Sequence, residues 1–309
     1  MLVLNNLNSL KGNEVKHILK HAYLILAHKT DFTFYSLLRL IDDDRNDIFI
    51  HMDVKNQEYS EELVKKTISY SGIYFTKRTN VTWGGYSQIN AELLLLKKAL
   101  VVGKYQYYHL ISGEDLPIKT QDYIHSFFDK INGKQLIRYE NNNFLYQDRI
   151  RYFYFFQEKI GRNNKYLIFD LLNRISLKTQ KKLDIFRSKK IVFRKGTNWF
   201  SITDELAAYI VSKERWIKKT FSYSLCCDEV FIQTIVYNSM FVNGLYDYKF
   251  DNSLDSIMRL IDWNRGNPYV YQKEDFDELM NSDMLWARKF DSSIDTEVIN
   301  LICKRIIEG

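Results

Sequence analysis

The chain has 309 residues, of which 46% are hydrophobic and 27% charged, enough for a buried core in one large domain or two small ones. Its net charge of +6 is dispersed over 44 basic and 38 acidic side chains, which suits an anionic ligand or surface and excludes the clustered basic footprint of a nucleic-acid binder. Three cysteines (Cys226, Cys227 and Cys303) without a CxxC exclude a disulfide framework and a cysteine-based zinc site, and no apolar run approaches the ~18 residues of a membrane span.

The first dozen or so residues read as weakly ordered. Ala22–Ala27 is a continuous apolar run, the pattern of a strand buried on both faces. Asp31 is placed to cap a helix over 32–41, with Phe32, Tyr35, Leu38 and Ile41 on one stripe. Asp42, Asp43 and Asp44 then break the helix; preceding a strand rather than following one, they read as a solvated turn, not a metal site. Asp47–Met52 is a second strand, and this β-loop-α-β order opens a doubly wound sheet. Gly72–Thr76 is a third strand, VTWGGYS a turn, Ser87 to about Val101 a helix and Tyr105–Ile111 a fourth strand. Ligands of such sheets bind beyond the carboxyl ends of the strands. Four loops meet there: His28-Lys29, Asp53-Val54-Lys55, Trp83-Gly84-Gly85 and Ser112–Lys119. In the last, Gly113 is expected to supply an unusual backbone angle and Pro117, one of two prolines, to fix the exit.

Residues 146–186 are helical in pattern, basic and aromatic. Basic density at 178–182 and 188–190 reads as a solvated helix face or a membrane-surface contact. KKIVFRKGTNWFSIT returns to a strand, after which Thr203 caps a helix with Asp204 and Glu205 in its first turn. A further helix begins near Asp228-Glu229; MRLIDW reads as a strand and about 294–307 as the last helix. GxGxxG, GxxxxGK[ST], HExxH and GxSxG are all absent, and His28, His51 and His109, in or near strand ends, lack ligand spacing.

ISGEDLPIKT resembles the SGxDxPxK element of the core-2/I-branching β-1,6-N-acetylglucosaminyltransferase family, which also holds the peptide O-xylosyltransferases. AYLILAHK, IFIHMDVK, VTWGGYS, KGTNWFSIT, CCDEVFIQTIV, MRLIDW and WARKFD follow the family's order across about residues 22–291. The resemblance implies an α/β fold: a GT-A-like, Rossmann-type mixed sheet flanked by helices, with a helical acceptor-side insertion. It implies one domain over 1–309, its nucleotide-binding half about 21–120 and its acceptor-binding, catalytic half about 121–309. It also implies inverting transfer from a UDP-sugar without a metal or other cofactor.

On that resemblance Glu229 is the general base, while Asp228 caps the helix. Arg259 and Lys289 neutralise the leaving diphosphate, with Arg288 a substitute for Lys289. His28, Asp53, Trp83, Gly84, Tyr86 and Asp115 hold the donor. Trp199 walls the acceptor pocket, and Glu140, Arg149 and Arg151 complete it. N-acetylglucosamine is the expected sugar; a xylosyl- or glucosyltransferase, or a non-catalytic sugar-binding protein, is the alternative. Lacking the anchor, stem and cysteines of animal members, the chain resembles a bacterial-type enzyme of surface polysaccharide synthesis. Such an enzyme is expected to be cytoplasmic, with possible peripheral contact with the inner face of the membrane, and to act on a glycan or lipid-linked glycan.

Overall fold

The structure, a computed structural model, describes residues 19–141, 147–162, 166–185, 187 and 191–308. The N-terminal dozen residues and the basic run at 188–190 lie outside these. Six strands form the main sheet: β1 His21–Ala27, β2 Asn46–Met52, β3 Gly72–Phe75, β4 Tyr107–Ser112, β6 Leu136–Tyr139 and β7 Gly196–Ile202, in the order β3-β2-β1-β4-β7-β6. The first four are parallel, and β7 runs antiparallel to both β4 and β6. A second sheet joins β5 Asp115–Pro117, β9 Trp286–Arg288 and β8 Arg259–Ile261 in that order. This is the mixed α/β sheet flanked by helices that the sequence led us to expect.

The alternation of a strand sends successive side chains to opposite faces. On β1, Ala22 and Leu24 enter one core while Tyr23 and Ile25 enter the other. Onto the first core pack α3 Tyr86–Val102, α8 Asp204–Ser212, α9 Glu214–Phe221 and α10 Phe231–Tyr237. Onto the second pack α1 Phe32–Ile41, α2 Glu61–Thr67, α4 Gln121–Lys130, α11 Phe276–Asn281 and α12 Glu297–Ile307. Between β6 and β7 lie α5 Asp148–Arg151, α6 Gln157–Ile160 and α7 Leu167–Lys182.

Asp31 caps α1, accepting a bond from the Phe34 amide at 3.0 Å. The buried stripe of α1 is Phe34, Leu37, Leu38 and Ile41 rather than the one anchored on Phe32, which is exposed. Phe34 enters the core on this side of the sheet, while Phe32, at the start of the first turn, stays at the surface. The acidic turn is more than solvated: Asp42 accepts bonds from the amides of Ser69, Tyr70 and Ser71, and Arg45 holds the Asp43 carboxyl down to about 2. Gly113 has no positive φ. A side chain there would instead meet Ala27 and Phe34 at 3.3 Å, so close packing is what excludes one. α2 went unread because its apolar content is slight: Val64 is its sole buried residue.

Candidate active site

The parallel strands end together, and their backbone knits the loops into one rim. The Asp53 amide bonds the Ala27 carbonyl at 2.9 Å and the Gly113 amide bonds the Leu26 carbonyl at 3.0 Å. β1 pairs with β2 on one side and β4 on the other, so this rim is the switch point of the sheet.

Basic side chains crowd one carboxylate at the rim. Glu114 Oε1 lies 3.9 Å from His28 and 3.8 Å from Lys29, and Oε2 lies 3.5 Å from Arg288 and 4.0 Å from Lys289. The two sequence-distant partners arrive because β9 pairs with β5, so that Arg288 sits opposite Asp115. Asp115 is buried and both its carboxylate oxygens are engaged, by the Ser112 amide at 2.8 Å, the Ser112 hydroxyl at 2.9 Å and Arg288 at 2.6 Å. Its place is therefore structural: it shapes the SGED turn and aims Arg288. The Arg288 guanidinium in turn lies 4.7 Å from the centre of the Trp199 ring.

Arg259 is 2% exposed. It donates to the carbonyls of Leu110 at 2.9 Å and Phe200 at 3.3 Å, with its guanidinium 4.9 Å from the Trp286 ring centre. Its Nε and Nη1 have no hydrogen-bond partner among the described residues, and burial pulls the group down to about 10. Arg259 thus underlies the site, while Arg288 and Lys289 face outward.

Glu229 ends a single helical turn, Cys227–Glu229, ahead of α10. Its half-buried carboxylate pairs with Arg149 of α5 at 2.9 Å and with Lys195 at 3.4 Å. Lys195 also bonds Glu140, which lies 3.9 Å from Arg138. Lys195 precedes β7 and Trp199 lies within it. Four residues at ~3.3 Å each put about 13 Å of backbone between Lys195, which holds the base candidate, and Trp199, which lies against Arg288.

Asp228 is buried beneath Glu229 and does not cap α10, whose cap position is Val230. Its Oδ2 accepts a bond from Gln88 at 3.0 Å, and the same amide group accepts from the Gly84 N–H. The Cys226 amide donates back to the Gly84 carbonyl at 2.9 Å. The Glu229 turn and the Trp83-Gly84-Gly85 turn are therefore bolted together, with Gly84 at φ +72°, where other residues are strained. Burial and then the Glu229 charge push the Asp228 carboxyl up to about 7, and burial raises its neighbour Glu92 well above the ordinary range.

The remaining expected residues divide. Trp83 is half exposed and lines a cleft of about 470 Å³ with Lys55, Glu158, Arg162 and Tyr166. Asp53 is buried and receives the Lys55 amide at 2.9 Å and the Val81 amide at 3.3 Å, so it fixes the loops around that cleft. Tyr86 starts α3 and packs into the core toward Glu214, away from the rim. Arg151 pairs with Asp184 at 3.6 Å, away from Glu229. Lys195, Glu114 and Gln88 were not singled out from the sequence. Lys195 and Glu114 do lie within the motifs KGTNWFSIT and ISGEDLPIKT.

The family model described as "Core-2/I-Branching enzyme" matches residues 21–287. The chain belongs to the core-2/I-branching family of glycosyltransferases. Human xylosyltransferase 2 is 22% identical over 303 residues, covering 91% of this chain and 33% of the relative. A sheep β-1,3-galactosyl-O-glycosyl-glycoprotein β-1,6-N-acetylglucosaminyltransferase 3 is 23% identical over 312 residues, covering 91% of this chain and 66% of the relative. The chain thus spans a third to about two-thirds of these relatives. Mouse xyloside xylosyltransferase 1 superposes with a TM-score of 0.34 at 10% identity, covering 86% of this chain and 96% of that one, too weak a likeness to carry further inference.

Proposed function

We propose that the chain transfers a sugar from a UDP-sugar to a glycan hydroxyl with inversion, through a GT-A-like site that uses basic side chains in place of a metal. The observation that carries this is the pair of polar clusters that the fold assembles. The half-buried Glu229 carboxylate is held by Arg149 and Lys195, and His28, Lys29, Arg288 and Lys289 gather around Glu114 at the strand ends, with Arg288 against Trp199. In this reading Glu229 takes the proton of the acceptor hydroxyl as its oxygen bonds to the anomeric carbon. The bond from that carbon to the diphosphate breaks, and the electron pair leaves on UDP. Lys289, Arg288 and Lys29 neutralise that charge, with Arg259 fixing Trp199 and the rim from below. Arg149 and Lys195 orient the base. The nucleoside occupies the cleft beside Trp83, whose exposed ring offers a stacking face.

N-acetylglucosamine is the sugar we assign first. Xylose is the second reading, favoured by relatives named as xylosyltransferases. The products decide the stereochemistry: proton NMR of the first-formed glycoside should show a β linkage from an α-linked donor. An α product would refute the single-displacement role of Glu229.

A further inference from the structure

α7 is built inside out. Asn173 and Gln180 face the protein and are buried, while Leu167, Ile168, Leu171, Leu172 and Ile175 are exposed, Leu167 at 78%. At 3.6 residues per turn these five occupy one arc of about 140°. Lys178 and Lys182 fall within the same arc, and Arg174 and Lys181 at its edge. Past the helix end, Leu183 and Ile185 are exposed as well.

This helix is firmly seated. The Gln180 amide bonds both the N–H and the carbonyl of Phe153, at 2.7 and 2.9 Å, and Lys181 bonds Asp148 at 2.8 Å. Its outward face is thus fixed by Gln180 on its inner side and by Lys181 at the edge of the outer arc. Among the described residues no helix is long and apolar enough to cross a membrane.

We propose that the outer face of α7 lies on an anionic lipid surface. Leucines and isoleucines would enter the headgroup boundary, and Lys178 and Lys182 would meet lipid phosphates. Charge selects this occupant over a second copy of the chain, because a symmetric contact would bring together two faces of like positive charge, which an anionic surface complements instead. The placement also serves the chemistry. Asp148, which holds Lys181, begins the same short helix that delivers Arg149 to Glu229, and Tyr166, which precedes α7, lines the cleft beside Trp83. An acceptor carried on a lipid would be presented at that edge.

The test is co-sedimentation of the full chain with phosphatidylcholine vesicles, with and without phosphatidylglycerol. Binding should be at least about tenfold stronger to the anionic vesicles and should fall with salt. Leu171→Ser/Ile175→Ser should weaken it by at least roughly tenfold, and so should Lys178→Glu/Lys182→Glu. Both variants should keep the wild-type melting temperature and UDP affinity, because the altered side chains are exposed. Failure to bind anionic vesicles, or equal binding by both variants, overturns the proposal. Concentration-dependent dimerisation abolished by Leu171→Ser/Ile175→Ser, without vesicle binding, also overturns it and gives the face to a second copy. UDP turnover in solution is read separately, so this proposal and the catalytic one fail independently.

Discussion

Asp228 sits one residue from the proposed base and offers a sharp discrimination. Its carboxyl is buried, with one oxygen bonded to Gln88 and the other without a hydrogen-bond partner among the described residues, and burial plus the Glu229 charge raise it from an ordinary 3.8 to about 7. A shift of that size corresponds to a destabilisation on the order of 4 kcal/mol once the group ionises in the fold. The sign follows from proton binding. Between about pH 4 and pH 7 the folded chain holds a proton here that the unfolded chain has released. Stability from this group is therefore complete at the acidic end and lost as pH rises through 7. Asp228→Asn keeps an acceptor for Gln88 and removes the ionisation. Its stability, measured by urea unfolding across pH, should exceed that of the wild type by up to about 4 kcal/mol at pH 8, with the gap closing toward pH 4. The difference between the two proteins isolates this group from the others that titrate. Turnover should fall less than about tenfold. A constant gap across pH would refute the burial account, and a loss of a hundredfold or more in turnover would make Asp228 the base.

Glu229→Gln should lose at least about a hundredfold in kcat/KM while UDP binding, followed by calorimetry, is unchanged; near-normal turnover would remove Glu229 from the base role. Glu114→Gln removes the negative charge from among four basic groups and should tighten UDP binding about tenfold in a fluorescence titration, whereas weaker binding would show that Glu114 aligns those groups instead. His21, His109 and His125 are buried together, and burial lowers all three, His125 to about 4. They are neutral in the fold and charge on unfolding, so their stabilising effect is present above about pH 6.5 and lost as pH falls toward 4. His109→Gln should flatten that acid limb in thermal melts monitored by circular dichroism.

The parallel half of the fold was legible because continuous apolar runs and turn residues mark buried strands. The first four strands came within two residues of their observed ends. β5 and β6 were not, since three or four residues carry too little pattern and the bulge between β6 and β7 breaks alternation. The carboxylate of the base candidate and the SGED turn were legible as motifs. Their roles relative to each other were not. Asp115 reads as a ligand contact until β9 brings Arg288 onto it, and Arg259 reads as a contact of the leaving diphosphate until β8 carries it under two tryptophans. Lys195 and Gln88 act through partners 34 and 140 residues away, 229 and 228, a distance no local pattern spans.

The most direct test of the account is UDP release from a panel of UDP-sugars with EDTA present, comparing the wild type with Glu229→Gln. The account predicts that one donor is turned over by the wild type in EDTA and that the variant is at least about a hundredfold slower on it. Turnover that appears only when manganese is restored, or that survives the substitution, would contradict it.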